Sequence, residues 1–392
     1  MERTTTSDDG RSSAPFSVAI ATRSKLAGCD IWRAAFSDQR KDHRYYEIVE
    51  DTLENDFAYR YFAITDAAGS VRAVQPFFLL DQDILEGLGP AALRWAARVR
   101  RFHPQFLKLR TLMVGCAAGE GHLAETDTLP SAQVAEILSR EIVRLARHCG
   151  ARMIVLKEFP ADCRAALDCF ARQGFARAPS MPMTKLNIQY DSFEHYMRAA
   201  LPASTRWKIR KSLRPTAGET IPMTVTDDAE PVIDEIYPLY LQVFERSKFH
   251  FEKLGRDYFR RLGREMKDKT RFFIWRRGNA VVAFSECMVQ GDELFLEYLG
   301  LDYDVALDLH LYFYVVRDTI NWAIANGYKW IRSSGLGYEP KFRLRHRLDP
   351  LDLYVRHTSA VANIGLKLVL PWIVPARYDR TLKRFANYRD IW

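Results

Sequence analysis

The sequence predicts a mixed α/β protein made of two successive units built to one plan. Three observations predict it: the length, an order of strand, loop, helix and strand that occurs twice, and apolar spacing that moves between periods of 2 and 3.6 residues within each pass. At 392 residues the chain has room for two domains of about 100–200 residues each. A hydrophobic fraction of 48% and a charged fraction of 27% belong to a soluble chain that buries real cores.

The elements follow in order. Met1 to Pro15 is polar, rich in Ser and Thr and without an apolar run, so it reads as a loose tail. It has neither the basic and apolar blocks of a secretory signal nor the acid-poor composition of a transit peptide. In the first pass residues 59–64 and 71–80 read as strands joined by a turn at 67–70, and 107–114 as a strand running into Gly115. Ser131 opens a helix with Val134, Ile137, Leu138, Ile142 and Leu145 at helical spacing, Gly150 stops it, and 153–156 is a buried strand. In the second pass 232–250 and 255–268 are helical, 271–276 and 280–289 form a hairpin about Arg277, Gly278 and Asn279, and 293–301 is a further strand. A helix over 309–325 closes at Asn326 and Gly327, and the strand 330–333 enters Gly335, Leu336 and Gly337. The expected organisation is therefore a tail (1–15), a first unit (16–190), a basic linker (191–217), a second unit (218–360) and an apolar, then basic, C-terminal segment (361–392).

The net charge is +8. The linker carries Arg206, Lys208, Arg210, Lys211 and Arg214 on a helical stretch ended by Pro215, which is either a phosphate-facing patch or an exposed helix between units. No stretch reaches the ~20 uninterrupted apolar residues of a spanning helix. Residues 79–104 nevertheless mix Leu, Ile and Trp95 with Arg94, Arg98, Arg100 and Arg101, and 364–374 is almost wholly apolar before Arg377, Arg380, Lys383 and Arg384. Basic residues beside Trp-bearing apolar segments favour an anionic membrane surface; a buried C-terminal segment followed by a solvated basic helix is the alternative. The expected location is cytoplasmic, and peripheral to the inner membrane where these segments meet lipid. The six cysteines form no C-x-x-C pair and have no matching histidine spacing, so free thiols and no metal are expected.

Several stretches resemble a known superfamily. Residues 155–160 (VLKEFP) followed by 170–175 (FARQGF) look like the late part of a GNAT acetyltransferase domain, with 179–188 as its closing strand. Residues 299–304, 311–313, 323–327 and 337–341 are similar to the GNAT-like domain of Fem-type, peptidoglycan-recognition proteins. The resemblance implies two consecutive GNAT-like domains and an N-acyltransferase with acyl-CoA as co-substrate. Within the superfamily the chain looks most like bacterial ceramide synthases, which implies a sphingoid base or similar lipid amine as acceptor. The usual pyrophosphate loop is absent from both halves. Its nearest substitute is the turn holding Gly115, Gly119 and Gly121, where backbone amides ahead of a helix would hold phosphates.

Acyl transfer to an amine needs a base for the ammonium proton, an acid for the departing thiolate and donors for the oxyanion. Glu297, mid-strand between apolar neighbours, is a candidate base because an unpaired carboxylate there would have a raised pKa; an edge-strand or salt-bridged Glu is the alternative. Glu286 on the neighbouring strand is similar. His310 at a helix start could relay a proton, and Tyr298 and Tyr303 are candidate acids. Tyr312, Lys341 and Arg345 are candidates for substrate contacts. Two other functions fit the same residues: a Fem-like aminoacyl-tRNA-dependent transferase acting on a peptidoglycan precursor, with the basic linker on RNA phosphates, and a non-catalytic module that binds lipid or cell wall.

Overall fold

The computed structural model describes residues 16–54, 57–83, 94, 97–101, 108–214, 220–247, 251–335 and 337–392. The expected tail, Trp95, Leu107, Pro215, Leu336 and most of 79–104 lie outside these residues.

Two seven-stranded sheets carry the chain. The strands are β1 (Phe16–Ala21), β2 (Ala58–Asp66), β3 (Val71–Asp83), β4 (Lys108–Val114), β5 (Met153–Pro160), β6 (Ala176–Pro179), β7 (Met183–Asn187), β8 (Met223–Thr226), β9 (Thr270–Arg277), β10 (Ala280–Gln290), β11 (Glu293–Leu301), β12 (Trp330–Ser333), β13 (Arg347–Asp349) and β14 (Leu351–His357). The first sheet runs β1-β2-β3-β4-β5-β14-β6 and the second β13-β7-β12-β11-β10-β9-β8. The two units therefore exchange strands. The run 179–188, expected to close the first unit, splits instead: β6 stays at the edge of the first sheet, and β7 enters the second between β12 and β13. Pro179 and Pro182 supply the break, since proline donates no ladder hydrogen bond. In return β14 pairs with β5 and β6.

The expected helices form where the spacing places them. Ser131–His148 buries Val134, Leu138, Ile142 and Leu145, Ile233–Arg246 and Arg256–Glu265 pack beside the second sheet, and Leu311–Ala325 buries Leu311, Val315 and Ile320. The hairpin turn between β9 and β10 has Gly278 at φ +57°, where a side chain would be strained. Strand alternation splits the second sheet between two cores. Phe272, Ile274, Phe284 and Met288 join the core that also holds Phe62, Phe78 and Ile154 of the first unit. Phe273, Trp275, Val282 and Leu294 pack with the Leu311–Ala325 helix instead. One core thus runs through both units.

Two details of the ladders shape the space between the units. β4 and β5 pair in parallel only from Thr111↔Met153 to Val114↔Leu156, and β11 and β12 only from Glu293↔Trp330 to Leu296↔Ser333. Beyond these points β4 and β12 end and the ladders stop. On the other side of β11 the register steps from Glu286↔Tyr298 to Cys287↔Leu296, so Glu297 is the extra residue of a β-bulge, a device that turns a side chain out of the regular alternation.

Candidate active site between the two units

The bulge turns Glu297 onto two cations of the first unit. Arg40 Nε donates to Glu297 Oε1 at 2.6 Å and Lys41 Nζ to Oε2 at 3.2 Å. Lys41 Nζ also donates to Glu120 Oε2 at 3.0 Å, and Arg40 pairs with the other oxygen of Glu120. The Arg40 guanidinium lies over the Phe295 ring, 3.7 Å from its centroid. Arg40, Lys41 and Glu120 are buried. Burial opposes the charge on Lys41, but Glu120 and Glu297 outweigh it and raise its pKa above the ordinary lysine value. Burial likewise opposes ionisation of Glu120, and Arg40 and Lys41 overcome it, holding that carboxyl well below its usual range. Glu297 thus takes the salt-bridged of the two forms open to it: it accepts from two cations and joins the units.

Glu286 is different. It is fully buried, and neither of its oxygens has a hydrogen-bond partner among the described residues. Desolvation first, then the neighbouring Glu297, pushes its pKa well above the carboxylate range, which favours its neutral form. A folded-state pKa raised above the unfolded one gives stability that is present below the unfolded value and lost as pH rises towards the folded one. Glu286→Gln should therefore unfold at a higher temperature than the parent at pH 7.5 and show no such gain near pH 4. A gain equal at both pH values would assign the effect to packing instead.

The glycine turn expected to cradle phosphates lies inside the protein. Cys116, Ala117 and Ala118 are buried, and the amides of Gly115 and Gly121 already donate to Pro76 O and Glu158 O. A Cβ at Gly121 would stand 2.7 Å from Lys157 O, and one at Gly119 would collide with Lys41 Nζ. These glycines permit close packing of the ion cluster, and Gly115 and Gly121 have no free amide to offer an anion.

From this turn the polar groups continue along the contact between the units. Lys157 Nζ donates to Gly119 O at 2.9 Å and to Glu158 Oε2 at 2.7 Å, just where the β4–β5 ladder stops. Glu158 has φ +56°, a strained setting for a non-glycine residue and a frequent mark of a working site. Opposite stands Glu252, whose Oε1 accepts from the Tyr298 hydroxyl at 2.9 Å. Both Glu252 and Tyr298 keep part of their surface exposed. Burial raises the Glu252 pKa, against the opposing pull of Lys157 and Tyr298, and burial keeps Tyr298 protonated, its pKa raised well above 10. An aromatic cluster lies beside them: Phe57 stacks on Phe251 at 5.6 Å and meets the buried Phe78 at 5.2 Å, and Tyr59 meets Phe78 at 5.9 Å.

The remaining sequence candidates lie elsewhere. His310 is exposed, begins the Leu311–Ala325 helix at φ +52° and makes no contact with Glu297 or Glu286 among the described residues. Tyr303 sits under Arg246, 4.2 Å from guanidinium carbon to ring centroid, and its N–H donates to Gln242. Tyr312 lines a cavity of about 490 Å³ with Lys208, Ile209, Phe313, Arg343 and Arg384; Lys208 belongs to the basic linker helix Ala203–Ser212. Lys341 donates to Ser334 O at the end of β12, and desolvation lowers its pKa to about 7. Arg345 is exposed at φ +61°. Among the described residues no group of His, Cys, Asp and Glu is arranged to hold a metal ion.

Sequence reasoning missed Arg40, Lys41, Lys157, Glu158 and Glu252. A Lys–Glu pair inside the apolar strand VLKEFP was the available signal for two of them; Arg40 and Lys41 look like any loop cations until Glu297 is seen beside them.

The FemAB-like family model, described as peptidoglycan biosynthesis/recognition, matches residues 94–351. The chain belongs to the FemAB-like family. A comparison with curated proteins finds no match. Among solved structures, L-PGS from Bacillus licheniformis is 12% identical at a TM-score of 0.50, covering 84% of this chain and 92% of its own. FemX is 11% identical at 0.49, with 86% and 96% covered, and a tandem GNAT protein from the clavulanic acid pathway is 10% identical at 0.47, with 88% and 99% covered. This FemAB-like protein therefore has a mixed α/β fold built on two seven-stranded sheets, a fold it shares with L-PGS from Bacillus licheniformis.

Proposed function

We propose that this protein is an N-acyltransferase that moves an acyl group from an acyl-CoA thioester to a long-chain lipid amine such as a sphingoid base. The observation that carries this reading is the Tyr298–Glu252 pair beside Lys157, next to the aromatic cluster of Phe57, Phe78 and Phe251. A carboxyl with a raised pKa suits a base that must take a proton from an ammonium ion. A tyrosine that stays protonated suits the acid that caps a thiolate, and a buried ammonium suits a developing oxyanion. The amine nitrogen bonds to the thioester carbon and the C–S bond breaks. Of the two protons the ammonium loses, one passes through Glu252 to water. The other reaches the thiolate by way of Tyr298, which recovers it from Glu252. The part-exposed Phe57 and Phe251 beside the pair favour a hydrocarbon chain over a polar peptide.

A second reading has a specific support of its own. Family membership and the cavity rimmed by Lys208, Arg343 and Arg384 favour a Fem-like reaction, with an aminoacyl-tRNA as donor and a peptidoglycan precursor as acceptor. The two are separated by following coenzyme A release with a thiol reagent while donors from acetyl to stearoyl thioesters are offered with a long-chain amino alcohol. Release that needs the amine and rises with chain length is the expected result. No release from any thioester, with transfer from a charged tRNA, would replace the first reading by the second.

A further inference from the structure

We propose that the C-terminal helix Ala360–Ile373 and the basic turn after it dock this protein onto an anionic phospholipid bilayer, with the helix lying in the membrane plane. The helix has two apolar stripes, and only one has a protein partner. On the inner stripe Asn363 and Leu370 are buried, and Val374 follows just beyond the helix. Asn363 Nδ2 donates to Gly174 O and its Oδ1 accepts from His357 N–H, both at 2.9 Å. That stripe is pinned to the first sheet. On the outer stripe Val361 is 81%, Leu368 70% and Trp372 69% exposed, and Ile364, Val369 and Ile373 are each more than half exposed. A helix on a soluble surface normally presents charge outward; this one presents Val, Ile, Leu and Trp, a patch of the kind that marks an interaction site.

Charge identifies the occupant. Lys367 stands on the helix, and Arg377, Arg380 and Lys383 follow it with Asp379 among them, while Arg384 beyond them pairs with Glu339. Pairing this face with its copy on a second chain would set these like charges against one another, whereas an anionic lipid surface attracts them. Trp372 and Tyr378, exposed at the basic end, are the side chains that favour the headgroup boundary. The stretch Ala360–Arg377 is long and apolar enough by length and composition to cross a membrane. The regular helix, however, is 14 residues, about 21 Å at 1.5 Å per residue, against a hydrocarbon core of about 30 Å. Its inner stripe is also held to the sheet. It can lie in the interface and cannot span. Arg384 reaches from the docked segment into the cavity lined by Tyr312 and Lys208, so docking brings that cavity to the headgroup layer.

The test is sedimentation of the full chain with vesicles of phosphatidylcholine alone or mixed with phosphatidylglycerol. Binding to the mixed vesicles that weakens with added salt is the expected result. Leu368→Ser combined with Trp372→Ser should lower the partition coefficient by about tenfold or more, with an unchanged unfolding midpoint because both side chains are exposed. Arg380→Gln combined with Lys383→Gln should weaken binding to the mixed vesicles and lessen its salt dependence. Failure of the parent to bind either vesicle overturns the proposal. So does a parent that dimerises in solution through a contact that the Leu368/Trp372 double variant abolishes. Neither readout depends on the acyl donor, so vesicle binding and the thioester assay stand or fall separately.

Discussion

Lys41→Met is expected to destabilise the fold by about 3–5 kcal/mol, the cost of leaving buried charges without their partner. Lys41 is fully buried and holds one oxygen each of Glu120 and Glu297. Methionine fills a similar volume but brings no charge, so two carboxylates would share Arg40 alone in a water-poor interface. Arg140→Met is the comparison: its pair with Glu136 is exposed, and such pairs contribute about 0–1 kcal/mol. Urea unfolding midpoints for both variants decide the matter. Adding Glu120→Gln to Lys41→Met should recover part of the loss, because the second change removes one stranded charge. A Lys41→Met loss no larger than that of Arg140→Met would mean that the cluster does not tie the units together.

The cluster also shows what the sequence can and cannot tell. Elements set by local spacing were legible: the Ser131–His148 and Leu311–Ala325 helices, the β2–β3 and β9–β10 hairpins and the strand Trp330–Ser333 all follow from apolar period and turn residues. The exchange of β7 and β14 was not legible, because nothing local says which of two similar sheets an extended segment joins; the only hint was the pair Pro179 and Pro182. The site divides in the same way. Tyr298 and Glu286 were reachable as polar residues in apolar strands. Glu252 follows a helix in an ordinary loop, and Arg40 and Lys41 acquire their meaning only from residues about 250 positions away. The bulge that re-aims Glu297 depends on the register between two strands, which the one-dimensional pattern does not carry. The glycine turn misled for a physical reason: glycines that let a backbone approach a phosphate and glycines that let two backbones approach each other leave the same trace in sequence.

Tyr298→Phe and Glu252→Gln are expected to lower kcat/KM for the amine by about 10²–10⁴-fold each, the usual weight of a positioned acid or base, with little change in unfolding midpoint. The two variants differ in their pH profiles. Glu252 must be ionised to accept a proton, so the parent rate rises with pH through a pKa above the ordinary carboxylate value, as burial dictates. Glu252→Gln removes that ascending limb and leaves the rate to follow deprotonation of the amine alone. Tyr298→Phe keeps the limb but moves it: without the phenol donating to its carboxylate form at 2.9 Å, Glu252 loses a partner that favours ionisation, and the limb shifts to higher pH. The combined variant should be little worse than Glu252→Gln alone, because residues that act as one proton path are not additive. Equal, additive losses with an unchanged ascending limb would show that Tyr298 and Glu252 merely hold the loop after Phe251 in place, and that proton transfer belongs to another group beside them, with Glu158 the next to test.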